Sequence, residues 1–282
     1  MILLTRPAAI RVREAAEGGA SAVEVSLDLG LSETHVRISG GVVVFPDGQT
    51  LPLDALSAVE RNPESVYAVL EGEVEKVTWF SEETGNVYTL RATRGWPALE
   101  ISGILMQRIK DVDPREDAEA KVATVAPVRG RVLETCLGLG YSALHTARDA
   151  DSVLVFEIDP NVVDMARLNP YSAPLFAEHS SVEVRQADIS EAIVELADSA
   201  FDVIIHDPPT LAIAGELYAT RFYRELFRVL RPGGRLFHYT GDPGSRHRKQ
   251  DLPGRVAQRL GEVGFRGVRR EPAALGVSAR RP

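Results

Sequence analysis

Four apolar runs in the second half of this chain each end in an acidic side chain beside a turn. The first closes as Glu134-Thr-Cys-Leu-Gly138-Leu-Gly140-Tyr-Ser142. Its two glycines permit a tight turn and a close approach of backbone to a ligand. The full dinucleotide fingerprint G-x-G-x-x-G is only partly matched, because position 143 is alanine. Cys136 stands where a first glycine would. The second run ends as Phe156-Glu157-Ile158-Asp159-Pro160, which puts Glu157 nineteen residues after Gly138. That is the ~20-residue spacing of an acid that accepts hydrogen bonds from ribose hydroxyls. An ionised carboxylate suits a diol because it only accepts. Asp159, just before a proline, reads as a helix cap, and a cap is also the alternative for Glu157. The third run ends in Gln186-Ala187-Asp188, where Asp188 could read an adenine amino group or cap the next helix. The fourth ends in His206-Asp207-Pro208-Pro209-Thr210. Two prolines fix that backbone and remove two donors, so Asp207 is delivered onto a rigid turn. His206 and His238 both sit at strand ends. Each reads equally as a base or substrate contact and as a buried structural histidine. No spacing suggests a metal site.

The elements that would position these groups alternate. Strands are expected at 131–134, 152–158, 182–186, 201–206 and 234–240, with helices at 142–149, 160–168, 190–196, 219–230 and 252–263. Five such alternations imply a parallel sheet with helices on both faces. Ligands bind such sheets at the carboxyl ends of the strands, near the topological switch point. The preceding part reads mostly as strands, including 22–29, 35–38, 41–45, 66–70, 74–80 and 87–92. A hairpin turn is expected at 83–86, a short helix at 53–61, and a strand or helix at 99–110. A helix opens at Asp113-Pro114 and runs to about residue 125, and 127–130 reads as a linker. The expectation is a β-rich domain over 1–126 and a doubly wound α/β domain, Rossmann-like, over 127–282.

Length and composition agree with this. The chain has 282 residues, 44% hydrophobic and 26% charged, which excludes wholesale disorder. A single cysteine excludes a disulfide framework and any cysteine-rich zinc site. No apolar run approaches the ~18–20 residues of a membrane span, and the N-terminus lacks the pattern of a signal peptide, so a cytoplasmic protein is expected. The net charge of −8 is unevenly spread. Residues 1–130 carry 13 basic and 20 acidic side chains, net −7; residues 245–282 carry 10 and 3, net +7.

Together the motifs E-x-C-x-G-x-G, F-E-I-D-P, Q-A-D, H-D-P-P-T and R-P-G-G-R (231–235) resemble the class I S-adenosylmethionine-dependent methyltransferases over about residues 120–282. The resemblance implies that Glu134, Gly138 and Gly140 cradle the methionine part of the cofactor, that Glu157 holds its ribose, and that Asp188 contacts its adenine. Asp207 and the carbonyls of the Pro208-Pro209 turn would hold the N–H groups of an amine. Family members place an aromatic after the two prolines to stack on a planar substrate. Here that residue is Thr210; Tyr218, Phe222 or Tyr223 could substitute, although Phe222 and Phe227 read as the core face of an amphipathic helix. The whole chain is more similar still to an uncharacterised group of predicted methyltransferases known mainly from archaea. That likeness is carried by S-L-D-L-G-L-S (26–32), T-G-N-V-Y (84–88), L-E-I-S-G-I-L-M (99–106), E-T-C-L-G-L-G-Y (134–141), H-D-P-P-T (206–210), A-G-E-L-Y (214–218) and F-H-Y-T-G-D-P-G (237–244).

The expected reaction is methyl transfer to a nitrogen of RNA or of another amine or amide. The RNA expectation rests on Arg246, His247, Arg248, Lys249, Arg255, Arg259, Arg269 and Arg270, which could track phosphates or form a solvated basic face. Polyamine aminopropyl transfer from the decarboxylated cofactor is the alternative enzyme, since Glu157-Ile158-Asp159-Pro160 resembles the ribose motif of spermidine synthases. Those enzymes typically hold the polyamine with a D-x-x-D pair, and the equivalent here is Asp207-Pro-Pro-Thr210. A non-catalytic cofactor-binding protein is the third reading.

Overall fold

The strands from Arg131 onward form a seven-stranded sheet in the computed structural model, which describes residues 1–241 and 251–282. Its strands are β1 (Arg131–Glu134), β2 (Ser152–Glu157), β3 (Val182–Gln186), β4 (Phe201–His206), β5 (Leu230–Tyr239), β6 (Arg266–Glu271) and β7 (Gly276–Arg280). Their order is β3-β2-β1-β4-β5-β7-β6. β1 to β5 pair in parallel, and β2 and β4 bury consecutive residues such as Val153 to Phe156 and Val203 to His206. Burial on both faces is what continuous apolar runs encode in a central parallel strand. The chain steps outward from β1 to β3, then returns to place β4 on the other side of β1. This reversal is the switch point, and it puts the ends of β1 and β4 side by side.

The helices from residue 114 onward are α1 (Pro114–Ala123), α2 (Tyr141–Thr146), α3 (Pro160–Leu168), α4 (Ile189–Ala192), α5 (Thr220–Val229) and α6 (Leu252–Val263). Phe222, Leu226 and Val229 recur on one side of α5 and share a core with Leu133, Phe156, Ile204, Val256 and Leu260. That burial confirms the core reading of Phe222.

The sheet is mixed rather than wholly parallel. After α6 the chain makes β6, turns, and returns as β7, which lies antiparallel between β5 and β6. A side chain at Gly276 would overlap the Phe237 ring, so close pairing of β7 on β5 requires glycine there.

The chain divides into two compact units, residues 1–114 with 169–171, and residues 115–168 with 172–282. The division falls one helix earlier than the expected boundary after 126. α1 joins the second unit because it buries Ala118 and Lys121, and Lys121 is hydrogen-bonded to Asp207.

The first unit is built from three small antiparallel sheets. Its core includes Leu4, Val12, Val25, Val36, Val43, Leu51 and Val59. The expected strand 74–80 is two strands, Glu73–Lys76 and Thr78–Ser81, in different sheets. Between them Val77 is buried, its N–H donating to Val66 O and its carbonyl accepting from Leu90 N. A helix at Arg6–Glu17, not expected from the strand-rich reading, has proline in its first turn and buries Ala8, Ala9 and Val12.

Candidate active site

β1 delivers Glu134 into the interior, where it is 1% exposed. Its two carboxylate oxygens accept from Ser142 Oγ at 2.6 Å and Thr146 Oγ1 at 2.8 Å, both on α2. Glu134 therefore ties the glycine turn to the helix that follows it. Burial pushes its pKa up to about 7, against the pull of those two hydroxyls. Gly138 and Gly140 hold φ of 54° and 75°, the left-handed region that favours glycine. A side chain at Gly140 would overlap Leu175.

β2 ends beside this turn. Glu157 Oε2 accepts from Gly138 N at 3.2 Å, and Oε1 accepts from Asp159 N at 3.1 Å. Burial raises the Glu157 pKa to about 7. Asp159 accepts from Asn161 N at 2.9 Å at the start of α3, the capping role expected of it. Asp188 also caps a helix, its Oδ1 accepting from Ser190 N at 2.7 Å. Cys136 packs at the edge of the core, and burial pushes its thiol well above the ordinary range, so it behaves as a packed group.

At the end of β4, Asp207 is a quarter exposed and carries a partner that sequence reasoning missed. Lys121 Nζ lies 2.7 Å from Asp207 Oδ2 and 2.9 Å from Asp117 Oδ2, and it sits 4.3 Å from the centre of the Tyr239 ring. Burial disfavours the ammonium, but Asp207 and Asp117 outweigh it and hold the Lys121 pKa above its usual value. Burial likewise raises the Asp207 carboxyl, with Lys121 opposing the rise. The available signal was the i,i+4 pair Asp117 and Lys121.

The histidines do not face this rim. His206, expected as a catalytic contact, is fully buried. Its Nε2 is 3.0 Å from Leu217 O and its Nδ1 is 2.7 Å from Thr135 Oγ1. The carbonyl requires the proton on Nε2, so Nδ1 accepts from the hydroxyl. Burial pushes the His206 pKa down to about 3, and both nitrogens are engaged inside the protein. This corrects the catalytic expectation: His206 is a structural residue. His238 is the same kind of group, with Nε2 2.8 Å from Tyr223 OH and Nδ1 2.6 Å from Tyr239 O.

Tyr218, Phe222 and Tyr223 are 1%, 2% and 0% exposed, so none offers a free ring for stacking. Tyr218 instead donates its hydroxyl to Pro209 O at 2.9 Å, which fastens the Asp207-Pro208-Pro209 turn from beneath. The carbonyl of Pro209, expected to help hold an amine, is thus already engaged.

Residues 246–249 of the basic tail lie outside the described residues. Arg266, Arg269 and Arg270 are exposed on the edge strand β6, Arg270 pairs with Asp251, and Arg259 donates to Tyr218 O at 3.0 Å. A separate cleft of about 410 Å³ lies among Val122, Pro127, Arg129, His145 and Arg148, and none of the strand-end acids lines it. No group of three or more His, Cys, Asp or Glu among the described residues could hold a metal ion. No helix among them is long and apolar enough to cross a membrane.

The stretch S-L-D-L-G-L-S (26–32) folds as a self-bonded loop. Asp28 Oδ1 accepts from Ser26 Oγ at 2.8 Å and Ser32 N at 2.9 Å, around Leu29 and Gly30 at positive φ.

Residues 133–238 match the methyltransferase domain family. That span holds Glu134, both glycines of the turn, Glu157, Asp188 and Asp207. Over 263 residues the chain is 40% identical to the uncharacterized protein MJ1233 of Methanocaldococcus jannaschii, covering 92% of this chain and 89% of that protein. The chain belongs to that protein's family. It is also 31% identical over 150 residues to polyamine aminopropyltransferase 2 of Streptomyces coelicolor, a match to 50% of this chain and 27% of that one. A spermidine synthase from Thermotoga maritima superposes with a TM-score of 0.56 at 18% identity, covering 74% of this chain and 75% of that one. At that identity the likeness is one of fold. With its methyltransferase domain, this member of the MJ1233 family is an enzyme whose cofactor is S-adenosylmethionine. The residues present fit that cofactor. A carboxylate such as Glu157 at the end of β2 is the type of acceptor a diol needs, and the glycine turn brings bare backbone to the switch point.

Proposed function

We propose that this enzyme transfers a methyl group from S-adenosylmethionine to a nitrogen of RNA or of another amine or amide. The observation that carries the reading is Asp207, held on a rigid turn at the end of β4 and next to the glycine turn at the end of β1. In this reading Gly138 and Gly140 accommodate the methionine part of the cofactor, and Glu134 acts through the turn it fixes. Glu157 accepts from the ribose hydroxyls and Asp188 lies toward the adenine. The cofactor supplies an electrophilic methyl on a sulfonium. The protein's own task is to hold a neutral nitrogen in line, and proximity of that kind is worth up to roughly 7–11 kcal/mol of barrier. Asp207 holds an N–H through Oδ1, because Oδ2 is taken by Lys121. Pro208 and Pro209 fix the backbone that follows Asp207, and Lys121 holds the carboxylate by its Oδ2. The exposed arginines of β6, of which Arg270 is paired with Asp251, support RNA as the substrate class, since guanidinium groups suit phosphates.

Aminopropyl transfer is the second reading, supported by the partial match to a polyamine aminopropyltransferase. Against it, no acid stands three residues after Asp207. Isothermal titration with S-adenosylmethionine and its decarboxylated analogue separates the readings. Tighter binding of S-adenosylmethionine is the expected result, and preference for the decarboxylated form would overturn methyl transfer. Incubation with methyl-labelled cofactor and fractionated extract then reports whether label enters RNA, protein or small amines. Label in RNA is expected. Label in protein or small amines alone, with no salt-dependent binding of tRNA or rRNA, would remove RNA from the proposal.

A further inference from the structure

Lys121 is one of four lysines in a chain with 28 arginines, and it is buried. α1 presents Asp117 and Lys121 one turn apart on the same face, and that face meets the end of β4. The ammonium sits between Asp117 Oδ2 at 2.9 Å and Asp207 Oδ2 at 2.7 Å, and over the ring of Tyr239 at 4.3 Å. Without it, the end of β4 would present two carboxylates and an aromatic face, a combination that attracts organic cations through charge and the ring quadrupole. With it, the cluster carries a single net negative charge, and the cation position is filled by the protein's own side chain. A compact lysine ammonium suits this place because it meets two carboxylates and a ring at once, whereas a planar guanidinium favours one bidentate partner.

We infer that Lys121 is the specificity-determining residue at the methyl-accepting end of the site: it occupies the position a substrate ammonium would take, so the site receives a nitrogen that is uncharged. Polycations such as putrescine and spermidine find the place between the two carboxylates already filled by an ammonium, which repels a second one at close range. An amide or the exocyclic amine of a base, whose nitrogen carries no proton charge, is admitted to Asp207. The chemistry is consistent, since only an unprotonated nitrogen has the lone pair that attacks a methyl group. This inference rests on the methyl-transfer reading and narrows it.

The test titrates putrescine into the S-adenosylhomocysteine complexes of the wild type, Lys121→Met, Lys121→Gln and Lys121→Arg at pH 8 and low salt. The Gln variant keeps an N–H donor for either carboxylate and serves where the Met variant does not fold. Circular dichroism and retained S-adenosylhomocysteine binding establish that each variant tested is folded. The expected result is no putrescine binding at millimolar concentration in the wild type and in Lys121→Arg. The neutral variants should bind at least tenfold more tightly, in a manner lost on adding salt. A merely structural lysine would not produce that gain. Wild-type putrescine binding equal to that of the neutral variants, or no gain in a folded neutral variant, would overturn the inference. Wild-type preference for the decarboxylated cofactor would instead remove the underlying methyl-transfer reading, whatever the putrescine result.

Discussion

The amide of Gly138 donates to Glu157 Oε2 at 3.2 Å, so the glycine turn at the end of β1 and the acid at the end of β2 are one unit. The acid proposed to hold the ribose also fixes the turn proposed to hold the methionine part.

This coupling makes cofactor affinity depend on pH in a defined direction. Burial raises the Glu157 pKa from its usual 4.5 to about 7. The folded, ligand-free protein therefore holds a proton there that the unfolded chain has released, and this stabilises it fully below pH 4.5. The contribution is lost as pH rises through about 7. Ribose hydroxyls need the ionised form as acceptor, so S-adenosylmethionine affinity should rise across pH 6 to 8. Glu157→Gln should flatten that profile and cost roughly 10- to 100-fold in affinity at pH 8, the worth of about 1.5–3 kcal/mol for a hydrogen bond to a charge. Isothermal titration at several pH values measures both effects. A pH-dependent profile retained in Glu157→Gln would assign it to Glu134, whose pKa is also about 7.

The glycine turn offers a second measurement. Gly140→Ala places a methyl group into Leu175 at a φ of 75°, so strain and overlap act together. The loss should exceed the ~1 kcal/mol of an ordinary glycine effect and reach about 2–4 kcal/mol with overpacking. Pairing it with Leu175→Ala separates the two. The double variant should lose less than the sum of the singles, because the cavity left by Leu175 accepts the new methyl group. Urea denaturation of the four proteins completes the cycle.

Short-range features were legible in the sequence and long-range ones were not. The spacing of Gly138 and Glu157 sets strand, turn, helix and strand in order, so the acid could be placed from chain distance alone. The alternation of strands and helices after Arg131 announced a parallel sheet. Lys121 was not legible as part of the site: it is 86 residues from Asp207, and an i,i+4 pair with Asp117 looks the same on a solvated helix. The two readings of His206 could not be separated because a strand-end position does not say whether the side chain faces the rim or the layer beneath. Here Leu217, Tyr218 and Phe222 enclose it, supplied by a later segment. The β6–β7 hairpin escaped the strand–helix count because its return strand pairs with β5, out of sequence order.

The buried histidines give the fold an acid-side weakness. The His206 pKa falls from 6.5 to about 3 on folding, and that of His238 falls well below 6.5. Between those values the unfolded chain binds protons that the native state does not. Stability from these groups is therefore complete above pH 6.5 and declines as pH falls toward 3. His206→Leu should reduce that slope by about one proton. It should also cost about 2–4 kcal/mol at pH 7.5, because Thr135 Oγ1 and Leu217 O lose a buried partner at ~1–3 kcal/mol each. Urea denaturation between pH 4 and 8 reads both the slope and the offset. An unchanged slope would place a charged imidazole in the native state.

The hydroxyl of Tyr218 tests the proposed role of the turn without touching its charge. It donates to Pro209 O at 2.9 Å, and the backbone carbonyl of Tyr218 accepts from Arg259 at 3.0 Å, so the residue is anchored whether or not the hydroxyl is present. Tyr218→Phe should therefore fold and lose only about 0.5–1.5 kcal/mol of stability. It frees the Pro209 carbonyl and relaxes the turn that aims Asp207. If the proline turn positions the methyl-accepting nitrogen, label transfer into the accepting fraction should fall about tenfold or more, since small misplacements at a reacting centre are costly. S-adenosylhomocysteine affinity should stay within twofold, because the hydroxyl bonds to the turn after β4 and not to the glycine turn or Glu157. Equal loss of cofactor binding and transfer would mean that Tyr218 supports the sheet as a whole rather than the Asp207 turn.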